Sequence, residues 1–339
     1  MTNITSKSRL IRIDMMIGMA MALVVLGHFS IGFEPGWYHP LHNWIYSFHM
    51  QMFLFLSAFL IRYTYKPVET IGGYFRYIWR KFRKFVLPFI LVGFSVALLA
   101  CVVKDKTLNW NYVGHSLKMM FLYPRWSETS FLWYIYILFG YYVISPLFFK
   151  LPQLGRVICC IGAMFLPMLD GGQLLAANDF CQYSFFYCLG VLCAEWINEI
   201  RAAKVWQWGL MSVPFIAYSA WVFGQSNAIG FEFPQLGWWS LVSGTAALPF
   251  FYLLSMATAK IKLANKSLAA ISVNCYWIYL LQMFIIWGCA RLVAKTGIVE
   301  QLPFSIFLVI TAILAILIPI GLATLCRKIF KSPAANKQR

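Results

Sequence analysis

Apolar residues run in blocks of about twenty from residue 13 to residue 325, and short polar patches divide one block from the next. A hydrocarbon core about 30 Å thick takes about 20 predominantly apolar helical residues to cross. Blocks of that kind occupy 13–33, 44–62, 85–103, 131–149 and 157–170, followed by 180–198, 206–224, 238–258, 268–290 and 304–325. The fifth is short and runs out in "LPMLDGGQ". Lipid offers no hydrogen-bond partner to a bare peptide group, so each block is predicted as helix. The pattern predicts an all-α, polytopic membrane bundle of about ten transmembrane helices. No internal repeat, low-complexity tract or linker divides it, so a single membrane domain is expected over 1–330, with "KSPAANKQR" (331–339) as a cytoplasmic tail.

Composition agrees. The chain is 61% hydrophobic and 12% charged, about half the charged fraction of a soluble domain. Charge then sets orientation. With the N-terminus in the cytoplasm, 22 of the 28 Lys and Arg fall in cytoplasmic segments, and both termini are predicted to be cytoplasmic. The net charge of +17 therefore reads as topology and contact with anionic membrane lipids, and no nucleic-acid partner is expected. Tryptophans mark the boundaries: Trp37 and Trp44 beside the first outer connection, Trp206 and Trp208 at an inner edge, Trp238 and Trp239 at an outer one. Lys7, Arg9 and Arg12 precede the first block as they would in a signal peptide. That block is too long for one and no A-x-A-like site follows, so it is read as retained. The nine cysteines lie mostly inside blocks, and adjacent Cys159 and Cys160 have no nearby His, so no metal site is expected.

Two histidines sit in apolar surroundings, in "LVVLGHFS" (23–30) and "YSFHMQMFLFLSAFL" (46–60). His28 lies about 21 Å along a helix from Asp14 and on nearly the same face. His49 enters the next, antiparallel block from the outer side, so the two rings are predicted to reach similar depth. Ionisable groups within a membrane are functional candidates, although histidines also tie helices together. A pair at matched depth supplies a proton acceptor near neutral pH and a second group to orient or stabilise charge. His39 and His42 fall in the outer connection and are assigned no chemistry.

The stretch "GGYFRYIWRKFRKFVLPF" (72–89) mixes cations with aromatics. On a helix Arg76, Arg80 and Lys84 share a face with Arg83 beside them, while Phe75, Trp79 and Phe82 take another. An ordinary positive-inside anchor has this composition. So does a site for a phosphorylated substrate, with guanidinium forks on phosphate oxygens.

Five segments occur in the order seen in the acyltransferase family 3 proteins: "IDMMIGMAMALVVLGHF" (13–29), "FHMQMFLFLSAFL" (48–60), "RKFRKFVLPF" (80–89), "LWYIYILF" (132–139) and "ISVNCYWIYLLQ" (271–282). The chain resembles that family, bacterial multi-spanning O-acyltransferases of surface glycans, from 13 to about 282. The resemblance implies His28 as the catalytic residue with His49 beside it, and Arg80 and Arg83 on the acyl-CoA side. Arg76 and Lys81, in the same basic segment, are expected to join them at the donor phosphates, with Asp14, Trp133 and Gln282 as supporting residues. The chain departs from the family at Ile17 (usually Lys or Arg), at Gln51 and Ala58 (Pro and Gly), and at Gln282 (often His).

The function so implied is transfer of an acyl group, acetyl before succinyl, from acetyl-CoA to a hydroxyl of an exported or lipid-linked glycan. No metal is required. The chain would sit in the bacterial inner membrane, with residues 104–130 as an outer loop over the acceptor. Direct transfer and an acyl-histidine intermediate both remain open. A glycan or lipid transporter and a non-catalytic scaffold of surface-polymer assembly are the alternatives. The Gly/Pro-broken inverted repeats expected of a transporter are not evident.

Overall fold

A computed structural model describes residues 10–105, 107–169, 171–224, 238–297 and 302–329; the tail predicted over 331–339 lies outside these. The described residues are mostly helical, with no strand among them. In chain order the helices are α1 (Ile11–Gly27), α2 (Tyr38–Tyr46), α3 (His49–Tyr63), α4 (Ile71–Lys81), α5 (Leu87–Asp105), α6 (Trp110–Leu122) and α7 (Trp133–Phe148). They continue as α8 (Gln153–Ala163), α9 (Ala177–Glu195), α10 (Ile197–Ala202), α11 (Val205–Gly224), α12 (Trp238–Thr258), α13 (Lys262–Thr296) and α14 (Phe304–Ile329).

A helix stands at each of the ten apolar blocks. Among the described residues six stretches are at least 18 residues long and apolar enough to cross a bilayer: 38–63, 71–103, 130–148, 239–258, 262–296 and 304–329. The fifth block yields α8, whose 11 residues cover only about 16 Å. Asn178, Asp179, Gln182 and Glu195 dilute α9, and Trp, Gln and Tyr residues dilute α11. The first block stays helical only to Gly27, which leaves α1 with 17 residues.

Local chemistry explains the other departures from the pattern. The second span begins at Tyr38, earlier than the block, and breaks between α2 and α3. There Ser47 Oγ donates to the Trp44 carbonyl at 2.8 Å, a side-chain bond that competes with the helical ladder. The stretch read as a long outer loop instead winds into α6. Asn109 caps it, its Oδ1 accepting from the amides of Asn111 (3.0 Å) and Tyr112 (3.3 Å). A π-helical turn over Phe82–Val86 joins α4 to α5, so the basic segment runs into the third predicted span without a break.

The described chain forms two compact units. One holds residues 10–49, 204–224, 245–297 and 302–329. Its frame is α1 on α13, where Gly18 lets the helices approach so closely that a β-carbon would strike the Leu268 backbone. Arg327 on α14 donates to Asn274 on α13 at 2.5 Å, and Trp44 Nε1 on α2 donates to Ser219 Oγ on α11 at 2.8 Å. The second unit holds residues 50–203 and 238–244. Gly190 of α9 abuts the Phe55 carbonyl of α3, and Tyr134 of α7 donates to Ser57 Oγ at 2.7 Å. Glu195 gathers two cations, Arg62 at 2.7 Å and Arg156 at 3.0 Å. Loss of either partner would strand a charge where desolvation is costly.

Candidate active site

The two histidines singled out by the sequence belong to one aromatic cluster, and Tyr46 is its hub. The Tyr46 ring lies 6.3 Å from His28 and 4.8 Å from His49, centroid to centroid. Gly27 makes the approach possible: a β-carbon there would sit 2.9 Å from Tyr46 Cε2 and 3.2 Å from Ile45 Cγ2.

The sequence reading missed a third ring. His42, placed there in an outer connection, is buried in α2 and stacks on Tyr46 at 4.1 Å. The available signal was spacing. His42 and Tyr46 are four residues apart, hence neighbours on a helix, but the polar run Tyr38–Asn43 did not read as part of a span.

Each catalytic candidate is anchored in the same way. His28 Nδ1 donates to the Val24 carbonyl at 2.5 Å, and His49 Nδ1 donates to the Ile45 carbonyl at 2.8 Å. A carbonyl only accepts, so Nδ1 carries the proton in both rings, and Nε2 is the basic nitrogen of the neutral imidazole. His28 caps the end of α1 and is half-buried, while His49 is 2% exposed. His28 is thus the more accessible base of the two.

A second residue that the sequence did not flag holds the His28 turn. Tyr38 Oη donates to the Leu26 carbonyl at 2.7 Å and accepts from the Phe29 amide at 3.1 Å, bracketing His28 on both sides. Glu34 then accepts from the amides of Ile31 (3.0 Å) and Gly32 (2.7 Å) as the chain leaves α1. Tyr38→Phe should orphan a buried amide, costing about 1–3 kcal/mol, and take a hydrogen bond from the part-buried Leu26 carbonyl. We expect a lower thermal midpoint and loss of whatever activity depends on His28, as read by thermal unfolding beside the wild type.

Asp14 stays at the other end of α1, where Ser272 Oγ lies 3.5 Å from its Oδ1. Gln282 on α13 is wholly buried, and neither Nε2 nor Oε1 has a hydrogen-bond partner among the described residues.

The second unit carries the basic segment. Thr70 caps α4 by accepting from the Gly73 amide at 3.1 Å. Arg76, Arg80 and Arg83 are exposed, and none of the three makes a salt bridge with a described residue. Ile71, Phe75 and Trp79 are exposed as well, which suits a helix lying in a headgroup layer. Lys81 departs from this group. Its ammonium sits 4.1 Å from the Tyr142 ring centroid and 5.4 Å from that of Tyr77, a cation–π seat.

Trp133, 7% exposed, opens α7 beneath Arg125, whose guanidinium carbon lies 3.6 Å from the ring centroid. Asp179 holds the same guanidinium through contacts of 2.6 and 3.0 Å. Burial works against the Arg125 charge, but Tyr183 and Asp179 more than offset it, and its pKa is raised. Among the described residues no three His, Cys, Asp or Glu side chains converge as metal ligands.

The acyltransferase domain of acyltransferase family 3 matches residues 10–324, nearly the whole chain. The chain belongs to acyltransferase family 3. This acyltransferase-family membrane protein is 22% identical over 202 residues to the nodulation protein NolL of Sinorhizobium fredii (strain NBRC 101917 / NGR234), covering 57% of the chain and 51% of NolL. The chain thus spans about half the length of that relative. It is 24% identical over 267 residues to the inner membrane protein YcfT of Escherichia coli (strain K12), covering 73% of the chain and 71% of YcfT. No solved structure matches. Position 17, often a cation in the family, is here Ile17, 8% exposed within the packed length of α1.

Proposed function

We propose that this protein is an O-acetyltransferase that moves the acetyl group of acetyl-CoA to a hydroxyl of an exported or lipid-linked surface glycan. We further propose that it does so as a multi-pass protein of a bacterial inner membrane with both termini in the cytoplasm. The observation that carries the reading is the half-buried His28, with Nδ1 committed to the Val24 carbonyl and Nε2 left as the base. Membership of the family supports acyl transfer in general.

In the proposed step His28 Nε2 takes the proton of the acceptor hydroxyl. The oxygen attacks the thioester carbonyl and an ester C–O bond forms. Collapse breaks the C–S bond, and the CoA thiolate leaves with the proton returned by His28. The alternative route, with acetyl on His28 as an intermediate, uses the same atoms in two steps. His49 spends its Nδ1 proton on Ile45, so it donates to the developing oxyanion only when doubly protonated. The Tyr46 hydroxyl is a donor in either state. The exposed guanidiniums of Arg76, Arg80 and Arg83 are proposed to receive the phosphates of acyl-CoA. Lys81 is given a lesser share, because Tyr77 and Tyr142 already hold its ammonium.

Membranes carrying the protein, supplied with acetyl-CoA labelled in the acetyl group, should pass label to the host's surface-glycan fraction. Label released only as free acetate, or none released, would count against the reading. Movement of unmodified glycan without labelling would point to a transporter.

A further inference from the structure

Gln282 is a polar side chain that the proposed chemistry has not yet used, and both ends of its amide are buried. It is 0% exposed, and both ends of its carboxamide are without partners among the described residues. An amide so buried loses its bonds to water and gains nothing in return, at a cost of one to a few hydrogen bonds. A group so placed calls for a partner from outside the described residues, and a bound substrate is one that can supply it.

Its position follows from how α13 lies on α1. Ser272 faces Asp14, 258 residues earlier in the chain, and Cys275 Sγ lies 3.7 Å from Met21 Sδ, 254 residues earlier. The two helices run side by side in the same direction. Two turns beyond Met21 is His28, and two turns beyond Cys275 is Gln282. A step of seven residues returns to within about 20° of the same helix face. Gln282 therefore lies on the face of α13 that meets α1 and within about one turn of His28 in height, His28 standing in the turn that ends α1.

We infer that Gln282 is a substrate-binding residue whose Nε2 donates to the carbonyl oxygen of the bound thioester, the atom that becomes negative when the acceptor attacks. The inference rests on the acyl-CoA reading given above and deepens it. A carboxamide suits this place because its N–H donates at any pH. The basic Nε2 atoms of the neutral imidazoles of His28 and His49 do not donate at all. A donor fixed in a site that excludes water stabilises an oxyanion more than it stabilises the ground-state carbonyl.

Binding to the purified full-length protein tests this without knowledge of the acceptor. The probes are acetyl-CoA and CoA, which differ by the acetyl group. Wild type is expected to bind acetyl-CoA about fivefold tighter than CoA, the worth of one neutral hydrogen bond. Gln282→Leu should bind both equally, with CoA affinity unchanged and a thermal midpoint equal to or above wild type, since it removes an unpaired buried amide. Gln282→His restores a ring N–H donor and should recover part of the preference.

Three results overturn the inference: a Gln282→Leu variant that still prefers acetyl-CoA, a wild type that binds the two probes equally, or a Gln282→Leu variant that unfolds at lower temperature. The last would mean that the amide is a structural bond. Should Gln282→Leu fail to fold, Gln282→Met, closer in length and flexibility, is read by the same criteria. A wild type that binds neither probe contradicts the acyl-CoA reading itself, and so separates that failure from a failure at Gln282.

Discussion

Replacing Arg80 and Arg83 together by Ala is expected to weaken acyl-CoA binding about 30- to 100-fold, with little change in the rate at saturating donor. The expectation comes from exposure and chemistry. Both guanidiniums face outward without a salt bridge to a described residue, so their charge is not spent inside the protein. Each planar fork matches two phosphate oxygens, which a lysine cannot reproduce in the same way. Exposed charges are screened, so the wild-type affinity itself should fall as salt rises, and the double variant should have lost most of that salt dependence. Lys81→Ala provides the contrast. Its ammonium is seated over Tyr142, and its loss is expected to change donor affinity less than about threefold. Titration of CoA against each variant checks all three statements. An Arg80→Ala/Arg83→Ala protein that binds CoA as the wild type does would remove the basic segment from the donor site.

The helical bundle was legible because long apolar blocks have few physical alternatives. Each of the ten blocks carries a helix, and α4 appears where the basic and aromatic positions separate onto two faces. Where each helix ends was less legible. Nothing in "VICCIGAMFLPML" shows that its helix stops at Ala163, because that end depends on the turn leading into Pro167 and not on apolarity. The break at Ser47–Phe48 was also hidden, since a serine in a span bonds to its own backbone as readily as it tolerates a helix.

The site divides along the same line. His28 and His49 stand out in the sequence as candidates because an ionisable ring in an apolar run is conspicuous. Tyr38 and His42 do not, because their parts are set by contacts that span the turn after α1: the Tyr38 hydroxyl on Leu26, the His42 ring on Tyr46. Lys81 looked equivalent to its arginine neighbours until Tyr142, on a different helix, proved to lie under its ammonium. Gln282 stands out in the sequence only as a departure from a histidine; its burial without a partner among the described residues is a property of the fold.

Acetyl transfer by His28→Ala, measured beside wild type with labelled acetyl-CoA and the native glycan fraction, tests the central claim most directly. The base and the anchored tautomer are both lost in this variant, and a positioned general base is worth about 10²–10⁴ in rate. His28 is partly exposed in the turn that ends α1, and its loss removes one backbone hydrogen bond and one ring contact, so the thermal midpoint should fall only modestly below that of wild type. The account predicts a folded variant that binds acetyl-CoA normally and transfers acetyl at least about 10³-fold more slowly. A folded His28→Ala protein that labels the glycan at the wild-type rate would contradict it.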